Sequence, residues 1–397
     1  MNISDYLSSL KVKTVSVIGI GISNQPLLEL LLKNNISVTA RDKADREALG
    51  EAALRLEALG ARLILGDKYL EGLSEDVIFR TPGLKPGTPQ LVRAAEKGSS
   101  VTSEMEVFFE VCPCPIIAVT GSDGKTTTTT IISKILEAAG KTVHLGGNIG
   151  RPLLADADKI RPDDYAVVEL SSFQLMTMRR SPHIAVITNI TPNHLDYHSS
   201  MEEYTQAKCN VFRYQGPGDL LVLNADNSIT ASLAGEARGR LRMFSRRERP
   251  SDGCFYDRKT VYFNGEPVID GDEILLPGLH NIENYMAAFA AVYDIAGREA
   301  CRSVAKTFGG VEHRMELVRV HKGVRYYNDS IASSPTRSTA GLKTFGKKVI
   351  IIAGGYDKHI PYEDFGPVIN STVKVLVLTG QTAPLIKEAV LKAEGER

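Results

Sequence analysis

The sequence predicts an α/β protein with parallel sheets wound on both faces. Three observations lead there: apolar strand runs alternate with helical patterns, two strand–helix joints carry glycine-containing turns, and buried-strand runs recur into the C-terminal third. The first joint, "TVSVIGIGISNQPLLELLLKNN", predicts a strand over 14–19 and a helix over 24–34, followed by a strand "SVTARD" that ends at Asp42. The second, "PIIAVTGSDGKTTTTTIISKILEAAGKTVHLGG", predicts a strand over 116–120, a helix over 125–139 and a strand over 142–145. Further buried strands are expected at 165–170, 184–190, 219–224, 348–355 and 373–380, and helices at 201–214, 281–296 and 383–393. Between about 240 and 278 the pattern shortens into turn-rich segments, which reads as a small antiparallel insertion. Boundaries near 102 and 310 divide the chain into three α/β units, 1–102, 103–309 and 310–397.

The 397 residues are enough for several cores, and 43% hydrophobic with 24% charged residues is ordinary for a soluble globular protein. Lys plus Arg equals Asp plus Glu at 47 each, so no bulk field recommends nucleic acid or an anionic membrane as a partner. The N-terminus "MNISDYLSSLKVK" has neither the basic start nor the apolar stretch of a signal peptide, and a cytoplasmic location is expected. Of five cysteines, Cys112 and Cys114 form Cys-Pro-Cys-Pro; Cys209, Cys254 and Cys301 are scattered. Zinc would need a second close-spaced pair, so all five read as reduced thiols.

Chemistry concentrates in four stretches. "GSDGKTTT" follows a buried strand and opens a helix, where backbone amides and the helix dipole favour anions. It lacks the first glycine of the general phosphate-loop pattern, since Val119 stands there. Lys125 is placed to neutralise outer phosphate oxygens, and Thr126 to offer a hydroxyl to Mg²⁺. Glu169, in "VVELSSFQL", ends a buried strand at the edge where open α/β sheets bind ligands. "ITNITPNHLDYHSSMEEYTQAKCNVF" then presents His194, Asp196 and His198 on a loop and Lys208 on a helix. Taken alone, Glu169 reads as a solvated strand end and Lys208 as a solvated helix lysine. In the first unit, Gly19-x-Gly21-x-x-Asn24 with Asp42 approaches a dinucleotide fingerprint. Asn24 in place of the third glycine weakens that reading, and the UDP of a nucleotide-sugar fits such a terminus equally well.

In order along the chain, "GSDGKTT", "GGNIG", "ELSSFQL", "TNITPNHLDYH", "YTQAKCNVF", "GLHNIEN", "EHRME", "YNDSIASSPT" and "GGYDKHI" resemble the Mur ligase family, whose phosphate loop lacks the same glycine. The resemblance implies a Rossmann-like N-terminal domain that binds UDP, a central ATP-binding domain and a C-terminal Rossmann-like ligase domain. It implies an ATP- and Mg²⁺-dependent amide ligase of peptidoglycan precursor synthesis, acting as a monomer on UDP-N-acetylmuramoyl-L-alanine and D-glutamate through an acyl phosphate. By the same resemblance Gly121, Ser122, Asp123, Gly124, Lys125, Thr126 and Thr127 hold the triphosphate, with Asn281, Asn284, Arg314 and Asp329 at the nucleotide. The same resemblance implies two Mg²⁺ ions, held by Thr126, Glu169, His194 and Lys208 as a carbamate. Ile22, Ser23, Asp42, Thr81 and Gly83 line the UDP site; Asn148, Gln174 and His194 face the sugar–alanine end, and Lys358 the amino-acid side.

From the residues alone, Asn281 and Asn284 read as helix caps and Arg314 as a surface arginine. The segment "NDS-x-A" carries Ile331 where many relatives have lysine, with Arg337 or Lys343 as the compensating charges. The expected C-terminal domain is shortened, because the Ser-Pro and Ser-Phe segment that holds D-glutamate in relatives does not occur before Arg397. Other readings are a sister ligase or folylpolyglutamate synthase, a nicotinamide-dependent dehydrogenase, and a non-catalytic nucleotide-binding protein.

Overall fold

The computed structural model describes residues 1–192, 197–332, 334–357 and 360–395. The chain forms two compact units, one of Met1–Val268 with Glu283–Val304, the other of Ile269–Ile282 with Ala305–Arg397.

The first unit holds two sheets. In the N-terminal sheet, β1 (Val15–Ile18), β2 (Val38–Asp42), β3 (Arg62–Leu65), β4 (Val77–Phe79) and β5 (Ser100–Thr102) are all parallel, in the order β3-β2-β1-β4-β5. Every residue of β1 is buried, as a central parallel strand requires. The connections reverse direction between β1 and β4, which opens a crevice at their C-terminal ends. The following helix, Gln25–Lys33, buries Leu27, Leu28, Leu31 and Leu32 at helical spacing and has proline in its first turn. Asn24, where the fingerprint has its third glycine, is buried and donates from Nδ2 to the carbonyls of Ile18 and Gly19. It fastens the turn that a glycine would only have allowed.

The second sheet has nine strands in the order β14-β13-β12-β11-β10-β9-β6-β8-β7. These are β6 (Ile116–Thr120), β7 (Val143–Gly147), β8 (Tyr165–Glu169), β9 (Ile184–Ile187), β10 (Leu220–Asn224), β11 (Arg240–Ser245), β12 (Gly253–Asp257), β13 (Thr260–Phe263) and β14 (Glu266–Asp270). From β7 through β12 the pairing is parallel. β11 and β12 continue the main sheet in parallel, and the expected small antiparallel element follows at its edge, where β13 turns back on β12. That reversal is a two-residue loop, Arg258-Lys259, with φ of 45° and 71° at its two residues, the handedness that suits a tight hairpin.

One apolar core runs through both sheets of this unit, from Leu28 and Phe79 through Phe108 to Ala118, Val168 and Leu223. Polar ties cross it as well. Arg80 is 1% exposed and donates to the carbonyls of Leu84 and Phe173 and to the Thr177 hydroxyl, the last at 2.8 Å. Tyr197 donates to the Pro82 carbonyl and packs on Phe173 with ring centroids 4.0 Å apart.

In the second unit, β15 (Glu316–His321) and β16 (Val324–Asn328) form an antiparallel hairpin, and β17 (Val349–Gly355) and β18 (Val373–Gly380) a parallel pair. Leu342, Phe365, Ile369, Val373 and Ile386 make its core. Helix Leu279–Thr307 runs through residues of both units and leaves helical geometry at Gly297, with φ 78° and ψ 170°.

The helix Glu104–Val111 joins the two sheets of the first unit, capped by the Ser103 side chain on Glu106 N–H. Its Glu104 is buried and accepts from Leu154 N at 2.9 Å; burial raises its pKa to about 7. The folded protein thus holds a proton that the unfolded chain releases in the ordinary carboxylate range. Stability contributed at low pH is lost as pH rises toward 7, by about 3 kcal/mol at most. Glu104→Gln keeps the acceptor oxygen and removes the titration. Urea denaturation between pH 5 and pH 8 is expected to show wild type losing more stability than the variant; parallel pH profiles would refute this assignment.

Candidate active site

The phosphate loop leaves β6 at the point where its neighbours are β8 on one side and β9 on the other. Gly121 has φ +150° and Gly124 φ +77°. An added Cβ would stand 1.9 Å from Thr188 Oγ1 at the first and 2.3 Å from Asn284 Oδ1 at the second, so glycine is required by both space and dihedral. The loop is tied to the end of β9: Ser122 N donates to the Asn189 carbonyl, Asp123 N to Asn189 Oδ1, and Thr188 Oγ1 to the Asp123 carbonyl. Ser122 Oγ also donates to the Thr191 carbonyl and lies 3.0 Å from the Tyr204 hydroxyl.

Helix Lys125–Ala138 opens on five consecutive threonines, β-branched residues that a helix does not favour. Each of four hydroxyls has a defined partner. Thr129 and Thr130 donate back to the carbonyls of Lys125 and Thr126, Thr128 donates to Asn284 Oδ1, and Thr126 donates to Glu169 Oε2 at 2.6 Å. The first helical hydrogen bond closes from Thr128 N to the Gly124 carbonyl, so the amides before it point toward the loop mouth. Lys125 Nζ folds over the loop and donates to the carbonyls of Gly121 and Ser122. Together these place dipoles and a cation where an anion would sit.

Glu169, at the end of β8, is 1% exposed and not a solvated strand end. Its second oxygen accepts from Asn148 Nδ2 at 2.9 Å, and Asn148 N donates to its backbone carbonyl. Lys208 also departs from the plain reading of its helix. It is 1% exposed, with Nζ donating to the Gly121 carbonyl at 2.7 Å and to Thr120 Oγ1 at 3.3 Å, above the Tyr204 ring. Burial, then the neighbouring Lys125, hold its pKa well below the usual lysine range.

Other expected residues fall in separate places. Gln174 forms a capping box with Ser171 at the start of helix Ser172–Leu175. Asn281 Nδ2 donates to the Pro277 carbonyl, while Asn284 reaches Thr128. Ile22 and Ser23 are exposed beside the glycine turn after β1, where Asp42 accepts from Ile20 N at 2.6 Å. Thr81 follows β4 and packs on Gly19, whose added Cβ would meet Thr81 Cβ at 3.0 Å; Gly83 is exposed in the same loop. In the second unit, Asp329 Oδ1 accepts from Met315 N at 3.0 Å, and burial raises its pKa. Arg314 stands beside it and lowers that pKa in part, and its Nε is buried without a hydrogen-bond partner. Ile331 is 43% exposed. His194, Asp196 and Lys358 lie outside the described residues.

Several residues of the site are not singled out by sequence reasoning: Thr120, Thr188, Asn189 and Tyr204. Thr120 ends β6 itself, the pairing of β6 with β9 brings Thr188 and Asn189 to the loop, and Tyr204 reaches Ser122 from helix Met201–Cys209. Among the described residues no three His, Cys, Asp or Glu side chains gather to hold a metal. A hard cation such as Mg²⁺ prefers oxygen donors, and the Thr126 hydroxyl beside the Glu169 carboxylate is such a pair. The donor set fits.

Comparison with known proteins agrees with this geometry. Residues 119–292 match the family model of the Mur ligase middle domain, and residues 313–397 that of the Mur ligase glutamate ligase domain. The UDP-N-acetylmuramoylalanine–D-glutamate ligase of Acetivibrio thermocellus is 52% identical over 400 residues, covering 100% of this chain and 86% of that protein. The enzyme of the same name from Clostridium kluyveri is 52% identical over 389 residues, covering 98% and 85%. Among solved structures, UDP-N-acetylmuramate-alanine ligase MurC from Thermotoga maritima aligns with a TM-score of 0.60 at 20% identity, over 96% of this chain and 88% of that one. At that identity the likeness speaks for the fold. With half of its residues identical along the whole length of such relatives, and a phosphate loop built as described, the chain belongs to the Mur ligase family.

Proposed function

We propose that the chain joins D-glutamate to UDP-N-acetylmuramoyl-L-alanine at the expense of ATP, in the cytoplasm, as a step of peptidoglycan precursor synthesis. The observation that carries this reading is the 52% identity to enzymes of that name over the full chain, with the loop, Glu169 and Lys208 assembled at one strand end. We also propose three domains, 1–102 for the UDP moiety, 103–309 for ATP and 310–397 for ligation, and a monomeric state.

In this reading the alanyl carboxylate attacks the γ-phosphorus, the β,γ-bridging bond breaks and ADP leaves, giving an acyl phosphate. The D-glutamate amine then attacks the acyl carbon, loses a proton, and phosphate departs as the amide forms. The protein supplies little covalent chemistry; it positions groups and offsets charge. The amides around Gly124 receive phosphate oxygens, and Lys125 swings from the Gly121 and Ser122 carbonyls to the outer phosphate. Thr126 and Glu169, with His194, hold Mg²⁺, which when bound neutralises charge on the phosphates. Asn148 fixes the Glu169 carboxylate. Asn281, Asn284, Arg314 and Asp329 are assigned to the nucleotide, Ile22, Ser23, Asp42, Thr81 and Gly83 to UDP, and Asn148, Gln174 and Lys358 to the acceptor side.

Lys208 is assigned as a carbamate. Its burial beside Lys125 disfavours an ammonium, and a neutral amine is the form that adds CO₂. The carbamate would turn that neutral amine into an anion available to a second Mg²⁺.

Phosphate release with ATP, Mg²⁺, the nucleotide-sugar and a panel of D- and L-amino acids tests the whole reading. D-Glutamate alone is expected to support turnover, and activity with L-alanine or diaminopimelate instead would reject it in favour of a sister ligase. Lys125→Ala is expected to lose at least about 100-fold in turnover, on the scale of a lost transition-state donor; a near-normal rate would contradict the loop assignment. Lys208→Ala is expected to be inactive and partly restored by short-chain carboxylates such as formate or acetate. Failure of every such carboxylate, with the variant folded, would remove the carbamate from the mechanism.

A further inference from the structure

The chain passes from the N-terminal sheet to the second sheet through "VCPCPII", between helix Glu104–Val111 and β6. Cys112 is the C-terminal cap of that helix and is half-buried; Cys114 sits in the core below β6, 2% exposed. Their sulfurs face one another at 3.6 Å, and Cys112 Sγ lies 3.7 Å from the Cys114 carbonyl. Two prolines hold the segment extended around them, so the thiols meet because the backbone is already set. Cys209, Cys254 and Cys301 are buried, and among the described residues no other sulfur pair makes such a contact.

We propose that Cys112 and Cys114 are a reversible thiol–disulfide site, with Cys112 as the attacking and Cys114 as the resolving residue. The site stands apart from the phosphate loop and does not depend on the ligase reading. The asymmetry of the pair assigns the roles. The more accessible sulfur is Cys112, and the hydrogen bond from Cys114 holds its pKa below the usual thiol range, while the same contact and burial push Cys114 up.

The oxidant is a low-molecular-weight disulfide, R–S–S–R. Cys112 thiolate attacks one of its sulfurs, breaking the S–S bond, releasing RS⁻ and forming a mixed disulfide. Cys114 then gives its proton to a base such as the released thiolate and attacks Cys112 Sγ, expelling the second RS⁻. The protein loses two protons and two electrons, and the small disulfide becomes two thiols. Closing the bond requires the sulfurs to move from 3.6 Å to about 2.05 Å, within reach of side-chain rotation and a small backbone shift. A ring spanning a single intervening residue is constrained, which places the site with labile disulfides that small thiols reopen.

The test uses the full chain under native conditions with glutathione disulfide as the probe, followed by alkylation, intact mass and peptide mapping. The expected result is a species lacking two alkylatable thiols, with Cys112 linked to Cys114 inside one peptide, and restored by dithiothreitol. Cys114→Ser should stop at a glutathione adduct on Cys112, and Cys112→Ser should keep all of its remaining thiols free. The second variant changes the half-buried residue, and a thermal melt confirms that it is folded. A wild-type protein that stops at the adduct, stays fully reduced, or links other cysteines would overturn the proposal.

Discussion

The Thr126 hydroxyl donates to the Glu169 carboxylate across 2.6 Å, and that contact can exist only if three elements hold their register. The phosphate-loop helix must begin one residue after Gly124. β8 must end opposite β6, with Glu169 paired to Val119. The β7 loop must return so that Asn148 occupies the other carboxylate oxygen. A buried carboxylate is costly unless its oxygens are met by donors, and here two neutral donors meet it. The Thr126 hydroxyl and the Glu169 carboxylate form the hard-oxygen corner that a divalent cation would use.

Around that corner the sheet order does most of the work. β6 lies between β8 and β9, so one strand delivers the acid and the other delivers Thr188 and Asn189 to hold the loop. Five threonines in the first turns of a helix look like poor helix formers, yet four of their hydroxyls answer either the helix's own carbonyls or a site residue. Local propensity is overridden by hydrogen bonds that only the assembled site supplies.

Much of this was legible beforehand because it is local. The strand–turn–helix at 116–139 needs only apolar periodicity and a glycine-lysine turn, and β6 and its helix fall within a residue of the expected bounds. What could not be read from pattern is burial at a distance. Lys208 lies on a helix of mixed polarity, and nothing within it says that its amine is sealed beneath Gly121 and Thr120. Glu169 likewise reads as a wet strand end until β7 and the helix close over it. The small antiparallel element is legible as short turn-rich strands, but its place at the edge of the main sheet is not, because such strands look alike whether they stand alone or lengthen an existing sheet. Strands β3, β4 and β5 are each three or four residues long, too short for alternation to stand out.

Arg80 gives the first unit a property beyond stability. Its guanidinium holds the loop after β4 by the Leu84 carbonyl and the segment after β8 by Phe173 and Thr177. Any occupant that reshapes one loop alters the free energy of the other through this shared group. Thermodynamic reciprocity then demands that the influence be equal in both directions. Two ligands seated on different sheets would sense each other through one cation, without touching.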